Sequence, residues 1–128
     1  MAKLKGDLGP LERRVMEFIW DHDGDVTVRD LLAAPASRRL AYTTVMTVLD
    51  RLWRKGYLAR KRVGRAYAYR ARLTREQHAS SLVGEVLAKS KDRHSVLMSF
   101  VRTAAPEDLD ELRRVIRQVE RERNPKAR

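Results

Sequence analysis

Leu40-Ala41-Tyr42-Thr43-Thr44-Val45-Met46-Thr47-Val48-Leu49-Asp50-Arg51-Leu52-Trp53-Arg54-Lys55-Gly56 is the stretch whose reading decides the fold. Val45, Val48, Leu49 and Leu52 fall at i, i+3, i+4 and i+7, the spacing of a buried apolar stripe on one helix. The opposite side carries Thr43, Thr44, Thr47, Asp50, Arg51 and Arg54. Threonine hydroxyls and methyls, with an arginine further along, suit the base edges and thymine methyls of a major groove. Arg54 and Lys55 complement the helix dipole in the last turn, and Gly56 is the residue that ends the helix. Taken alone, the stretch also fits an ordinary amphipathic helix with a solvated polar face.

The residues that follow shift the balance. Tyr57-Leu58-Ala59-Arg60-Lys61-Arg62-Val63 and Ala66-Tyr67-Ala68-Tyr69-Arg70-Ala71 are two β-prone runs flanking the turn Gly64-Arg65. That is a hairpin signal, with Tyr67 and Tyr69 on one face by the period of two. A glycine-ended helix followed by a basic hairpin has the shape of a winged helix-turn-helix. Arg65 at the tip is then placed to enter a minor groove or meet a phosphate.

The charge is concentrated in the same place. The 128-residue chain has 28 Lys and Arg against 17 Asp and Glu, a formal net charge of +11. From Arg38 to Arg72 eleven basic residues face Asp50 alone, whereas from Leu73 onward 12 basic residues nearly balance 9 acidic ones. A basic cluster on one local unit is the electrostatic footprint of a nucleic-acid partner. A membrane-surface patch would put its cations beside exposed aromatics on an amphipathic helix, and here they lie on a hairpin as much as on a helix. The absence of cysteine excludes disulfides and thiolate metal sites and fits a reducing cytoplasm. The first residues lack the apolar core of a signal peptide, and no run reaches the ~18 apolar residues that a membrane span needs.

Around this centre the chain reads as α-(β)-α-α-β-β. Pro10 opens a first helix whose stripe is Leu11, Val15, Phe18 and Ile19, with Glu12, Arg13, Arg14 and Glu17 facing water. Val26-Thr27-Val28 is short enough for a single bridge to the wing. Thr27 and Asp30 make a capping box for a helix that Pro35 ends, and Pro35-Ala36-Ser37-Arg38-Arg39 is the turn. From Leu73 the pattern is helical only. Thr74 and Gln77 cap the first helix, Asp92 to Thr103 is the second, and Pro106 starts the third, with Asp110 and Arg114 as an i,i+4 pair. These three short helices hold too little apolar surface to fold alone, so they are expected to pack on a second copy, the alternative being that they fold back on the N-terminal domain of the same chain. The fold class expected is mainly α with a small β-wing. Residues 1–72 form a winged-helix DNA-binding domain and residues 73–128 a three-helix dimerisation domain.

The sequence resembles the BlaI/MecI family of penicillinase-repressor-type regulators. The likeness rests on Leu11 to Trp20, on Thr27 to Leu31, above all on Ala41 to Leu52, and on Lys55 to Leu58 with Gly64 to Tyr69. The resemblance implies a cytoplasmic dimeric repressor bound to inverted repeats with TACA/TGTA-like half-sites. It implies a membrane sensor peptidase as a further partner, and cleavage of the repressor in an antibiotic or cell-envelope response. The aligned cleavage pair is Ser99-Phe100, with Ser99 where the family has Asn. A copper-responsive branch carries a cysteine cluster that this chain lacks.

The candidate DNA-binding residues are Tyr42, Thr43, Thr44, Thr47, Arg51, Arg60, Arg62 and Arg65; Tyr42 and Thr43 also fit structural roles at the helix start. Leu82, Val86, Phe100, Leu109, Leu112, Ile116 and Val119 are the candidate dimerisation residues. Trp20, Trp53, Tyr67 and Tyr69 are expected to pack rather than stack on bases. His22, His78 and His94 are scattered, so neither a metal nor a cofactor is expected, and no nucleophile elbow or phosphate loop points to an enzyme. The alternatives are a winged-helix protein-interaction module and a small-molecule-responsive regulator.

Overall fold

The computed structural model describes residues 6–34 and 40–126. The turn expected over Pro35 to Arg39 lies outside them. The described elements are α1 (Pro10–Asp21), α2 (Val28–Ala33), α3 (Tyr42–Arg54), β1 (Leu58–Val63), β2 (Ala66–Ala71), α4 (Arg75–Lys89), α5 (Arg93–Thr103) and α6 (Pro106–Arg123). They fall into two compact units, one ending at Ser81 and the other beginning at Leu82. The fold is a winged helix followed by further helices.

In the first unit, Val45, Val48, Leu49 and Leu52 of α3 are all buried, as their spacing requires. They close on Val15, Met16 and Ile19 of α1, Leu31 of α2, and Val26, Leu58 and Tyr69. The α1 stripe is turned from the expected one. Met16 is buried, Leu11 and Phe18 sit at the margin, and Glu12 is buried rather than facing water. Glu12 has two tasks that hold it there. Its Oε1 accepts from the Gly9 N–H at 2.8 Å, capping the helix, and from Lys55 Nζ at 2.8 Å, which ties α1 to the end of α3. Burial alone would raise its pKa, but the Lys55 and Gly9 hydrogen bonds and the positive fields of Lys55 and Arg51 outweigh this and hold it below the usual carboxylate value.

Helix α3 ends as a Schellman motif. The Gly56 N–H donates to Trp53 O and the Tyr57 N–H to Leu52 O, and Gly56 takes φ 91°. The chain can then turn directly into β1, which pairs antiparallel with β2 from Leu58↔Ala71 to Val63↔Ala66. The connecting turn has positive φ at Gly64 alone, 63°, as a type II′ hairpin requires. Val26 exchanges two 2.7 Å hydrogen bonds with Tyr69, the third-strand bridge expected from its sequence. Both expected capping boxes form: Thr27 with Asp30, and Thr74 with Gln77.

The first unit extends past Arg72 through the opening turns of α4. The Trp20 Nε1–H donates to Leu73 O at 2.9 Å, and Arg75 Nη2 reaches Glu17 and Asp21, each at 2.7 Å. His78 is buried against Trp20 and Tyr57, with ring centroids 5.5 and 5.3 Å away. Neither ring nitrogen of His78 finds a hydrogen-bond partner among the described residues.

The second unit is built differently. Asp92 caps α5 by accepting from the Ser95 N–H at 3.1 Å, and Pro106 opens α6 with Glu107 and Asp108 in its first turn. On α6 the ion pairs are Asp110–Arg113 and Glu111–Arg114, at i,i+3 rather than the expected Asp110–Arg114. No residue of α5 or α6 is buried. Among the described residues no helix is long and apolar enough to cross a membrane.

Two outcomes follow for the first unit. Leu49 has no exposed surface, so Leu49→Ala should cost ~2–5 kcal/mol of unfolding free energy in a urea titration. His78 is pushed below its usual value by burial and by Arg13, against the weaker opposing pull of Asp7 and Glu17. The unfolded chain therefore binds this proton first. Stability should be complete above about pH 6.5 and fall as the pH drops below it, toward the lower folded-state value. Urea midpoints at pH 7.5 and 5.5 should differ more for the parent chain than for His78→Phe.

Candidate nucleic-acid interface

Because the stripe of α3 is buried, the rest of its circumference is dictated. Tyr42, Thr43, Met46, Thr47, Arg51, Trp53 and Arg54 are exposed. On the helical wheel Thr43, Thr47, Asp50 and Arg54 stand directly opposite the stripe. Thr44 and Arg51 are on one flank. There Thr44 is half-buried, in a shallow depression also lined by Leu11, Thr43, Thr47, Val48 and Arg51. Tyr42, Met46 and Trp53 occupy the other flank, toward the hairpin. Met46, 47% exposed, belongs to the exposed surface of α3 although it is not among the residues expected there. The signal was present, since the spacing that buries Val45 and Leu49 turns Met46 outward.

The Thr47 hydroxyl donates to Thr43 O at 2.8 Å, so its oxygen lone pairs and its methyl remain for a ligand. The N-cap of α3 is Ala41, and among the described residues no side chain caps this end. The first-turn N–H groups of Tyr42, Thr43 and Thr44 carry the positive end of the helix dipole.

On the hairpin, Lys61, Arg62, Val63, Gly64 and Arg65 are exposed, with Arg65 at the tip. Lys61 pairs with Asp25 at 3.0 Å and Arg62 lies 5.4 Å from the Tyr67 ring centre. Tyr69 is buried and Tyr67 half-buried, the packing roles expected of them. Arg60 departs from the surface role expected of it. Its side chain is 17% exposed, bonded to Asp50 at 3.2 Å and lying over Trp53 at 3.5 Å and Tyr67 at 4.0 Å. Asp50 also accepts from Arg54 at 2.8 Å, so this carboxylate is matched by two guanidinium groups. Trp53, expected in the core, is 39% exposed because its ring packs on Arg60 at the edge of the wing.

The structure thus brings Tyr42, Thr43, Thr44, Thr47 and Arg51 onto one helix, with Arg60, Arg62 and Arg65 on the adjoining hairpin of the same unit. Ser99 and Phe100 lie on α5 in the other unit, both exposed. There Val86, Phe100 and Ile116 are also exposed, while Leu82, Leu109, Leu112 and Val119 are half-buried. Among the described residues no group of three His, Asp or Glu side chains could hold a metal ion.

Comparison with known proteins places these features in a family. The sequence pattern described as "Penicillinase repressor" matches residues 8–118. Two curated proteins, each named "Transcriptional regulator BlaI", come from Mycobacterium tuberculosis strains CDC 1551 / Oshkosh and ATCC 25618 / H37Rv. Each is 40% identical to this chain over 124 residues, covering 94% of this chain and 89% of the relative.

Proposed function

The chain belongs to the penicillinase repressor family, and from that premise we propose that it represses transcription as a homodimer bound to an inverted-repeat operator with TACA/TGTA-like half-sites. The observation that carries this reading is the exposed threonine and arginine face of α3 beside an arginine-bearing hairpin, in the part of the chain that holds nearly all the net charge. Thr43 and Thr47 read base edges in the major groove, with Thr44 and Tyr42 at the rim of the contact. Arg51, Arg62 and Arg65 meet phosphates, and the first-turn N–H groups of α3 donate to another.

The second unit supports the dimer. Two helices with no buried residue, α5 and α6, together with the more than half exposed Val86 of α4, Phe100 of α5 and Ile116 of α6, leave apolar surface uncovered. A second copy covers it symmetrically, and twofold symmetry then sets the two recognition helices about one helical turn of DNA apart, or a multiple of it. A membrane sensor peptidase that cuts the Ser99-Phe100 bond in a β-lactam or cell-envelope response would separate the DNA-binding units and release the operator. The protein itself acts by binding, in the cytoplasm, without catalysis and without a cofactor.

Footprinting of purified protein on genomic DNA should yield inverted repeats; protection without a shared repeat would refute the reading. On the site so found, Thr47→Ala should cost about 1–3 kcal/mol and leave random DNA unaffected, whereas Arg65→Ala should weaken both and lower the slope of log K against log salt by about 0.9. Equal losses on both DNAs for Thr47→Ala would remove it from base reading. Ile116→Asp should shift the sedimenting species at micromolar protein from dimer to monomer and weaken operator binding with it.

A further inference from the structure

The hairpin is anchored unevenly along its length. At its base Leu58 is buried and Val26 bridges Tyr69. Toward the tip Lys61, Arg62 and Val63 on β1 are all exposed. A two-stranded ribbon has little stability of its own, so the last contact before the exposed half decides how far the tip can swing. The last contact that is largely shielded from solvent is Arg60, which reaches from β1 to α3; one residue further on, the solvent-exposed Lys61 pairs with Asp25 at 3.0 Å, a weaker tie. Its guanidinium is caught between the Trp53 ring at 3.5 Å and the Tyr67 ring at 4.0 Å, and it donates to Asp50 Oδ1 at 3.2 Å. The same carboxylate holds Arg54 through its other oxygen at 2.8 Å.

We propose that Arg60 is a positioning residue rather than a DNA contact: bound between Asp50, Trp53 and Tyr67, it sets the angle between the recognition helix and the wing, and so the register between base reading by α3 and the grip of Arg62 and Arg65. The side chain has its planar faces and one edge occupied, and its exposed fraction is 17%. Turning it to a phosphate would give up the ring contacts and leave Asp50 with a single cation on a face that approaches a polyanion. A planar guanidinium can stack and pair at once, which an ammonium group cannot do. The pairing also keeps Asp50 from repelling phosphate.

This inference rests on the DNA-binding reading, and its test separates the two. The full chain, Arg60→Lys, Arg60→Ala, Trp53→Leu, Arg62→Ala and the double variant Arg60→Lys/Trp53→Leu are compared on the footprinted operator and on random duplex over a salt series. Amide hydrogen exchange across the wing of the free protein is followed in parallel by NMR. Trp53 is substantially exposed, so replacing it empties no core. Arg60→Lys should weaken operator binding about tenfold with the salt slope unchanged, and speed wing exchange about threefold or more. Trp53→Leu should do the same, and the double variant should be no worse than either single one. Arg62→Ala should lower the slope by about 0.9. If Arg60→Lys binds like the parent while Arg60→Ala lowers the slope, Arg60 is a phosphate contact and the proposal falls. It also falls if wing exchange is unchanged in Arg60→Lys. Should the parent chain prefer no DNA sequence, the functional reading fails, and wing exchange in the free protein alone decides the anchor.

Discussion

Val45, Val48, Leu49 and Leu52 impose the constraint from which the rest of the first unit follows. Once these four side chains are withdrawn from water, α3 has no rotational freedom left about its axis. The direction of every other residue on it is then settled, from Thr43 and Thr47 outward to Trp53 at the hairpin edge. Apolar burial is non-directional in itself, and it acquires direction only through the helical period. Gly56 continues the constraint along the chain. Its left-handed backbone allows the motif in which Tyr57 bonds back to Leu52, so the same four-residue stripe that orients α3 also launches β1. Charged groups then add ties to this frame, as the Glu12–Lys55 pair does between α1 and α3.

Most of this frame was legible in the sequence because its signals are local. The α3 stripe, Gly56, the Gly64-Arg65 turn, the Thr27 and Thr74 capping boxes and Pro106 all act within a turn or two of where they stand. Even the Val26 bridge could be anticipated, since its partner strand follows from the hairpin. What escaped the reading depends on residues far apart in sequence. Glu12 looked like a surface carboxylate until Lys55, 43 positions on, was found bonded to it. Trp53 and Arg60 depend on each other, the ring staying at the surface while it and Tyr67 largely cover the guanidinium. Arg75 and His78 belong with α1 through Glu17, Asp21 and Trp20, which no change of composition at Leu73 discloses. On α6 the error was smaller. Acidic and basic residues crowd the helix at both three and four positions' spacing, and rotamers choose between them.

The two units differ in how they satisfy the hydrophobic effect. The first encloses side chains of α1, α2, α3 and the hairpin with almost no exposed surface. The second presents Val83, Val86, Phe100, Val115 and Ile116 to solvent. The dimeric repressor proposed above would account for both designs, since a reader of repeated DNA half-sites needs one part that is rigid alone and another that is completed by pairing. The identity to the mycobacterial relatives spans both parts.

Helix α5 bears on how such a protein could be switched off. The carbonyl of Ser99 lies inside a regular helix, where it also accepts from the Thr103 hydroxyl at 3.1 Å, as Phe100's does. Peptidase clefts take substrates as extended strands, so the cut proposed above would have to wait for this stretch of backbone to melt. The winding of α5 would then be a latch in its own right. Turnover by that route would follow the frequency with which the latch springs open, and a contact that braced the helix from outside would lengthen the protein's life without touching the Ser99-Phe100 bond.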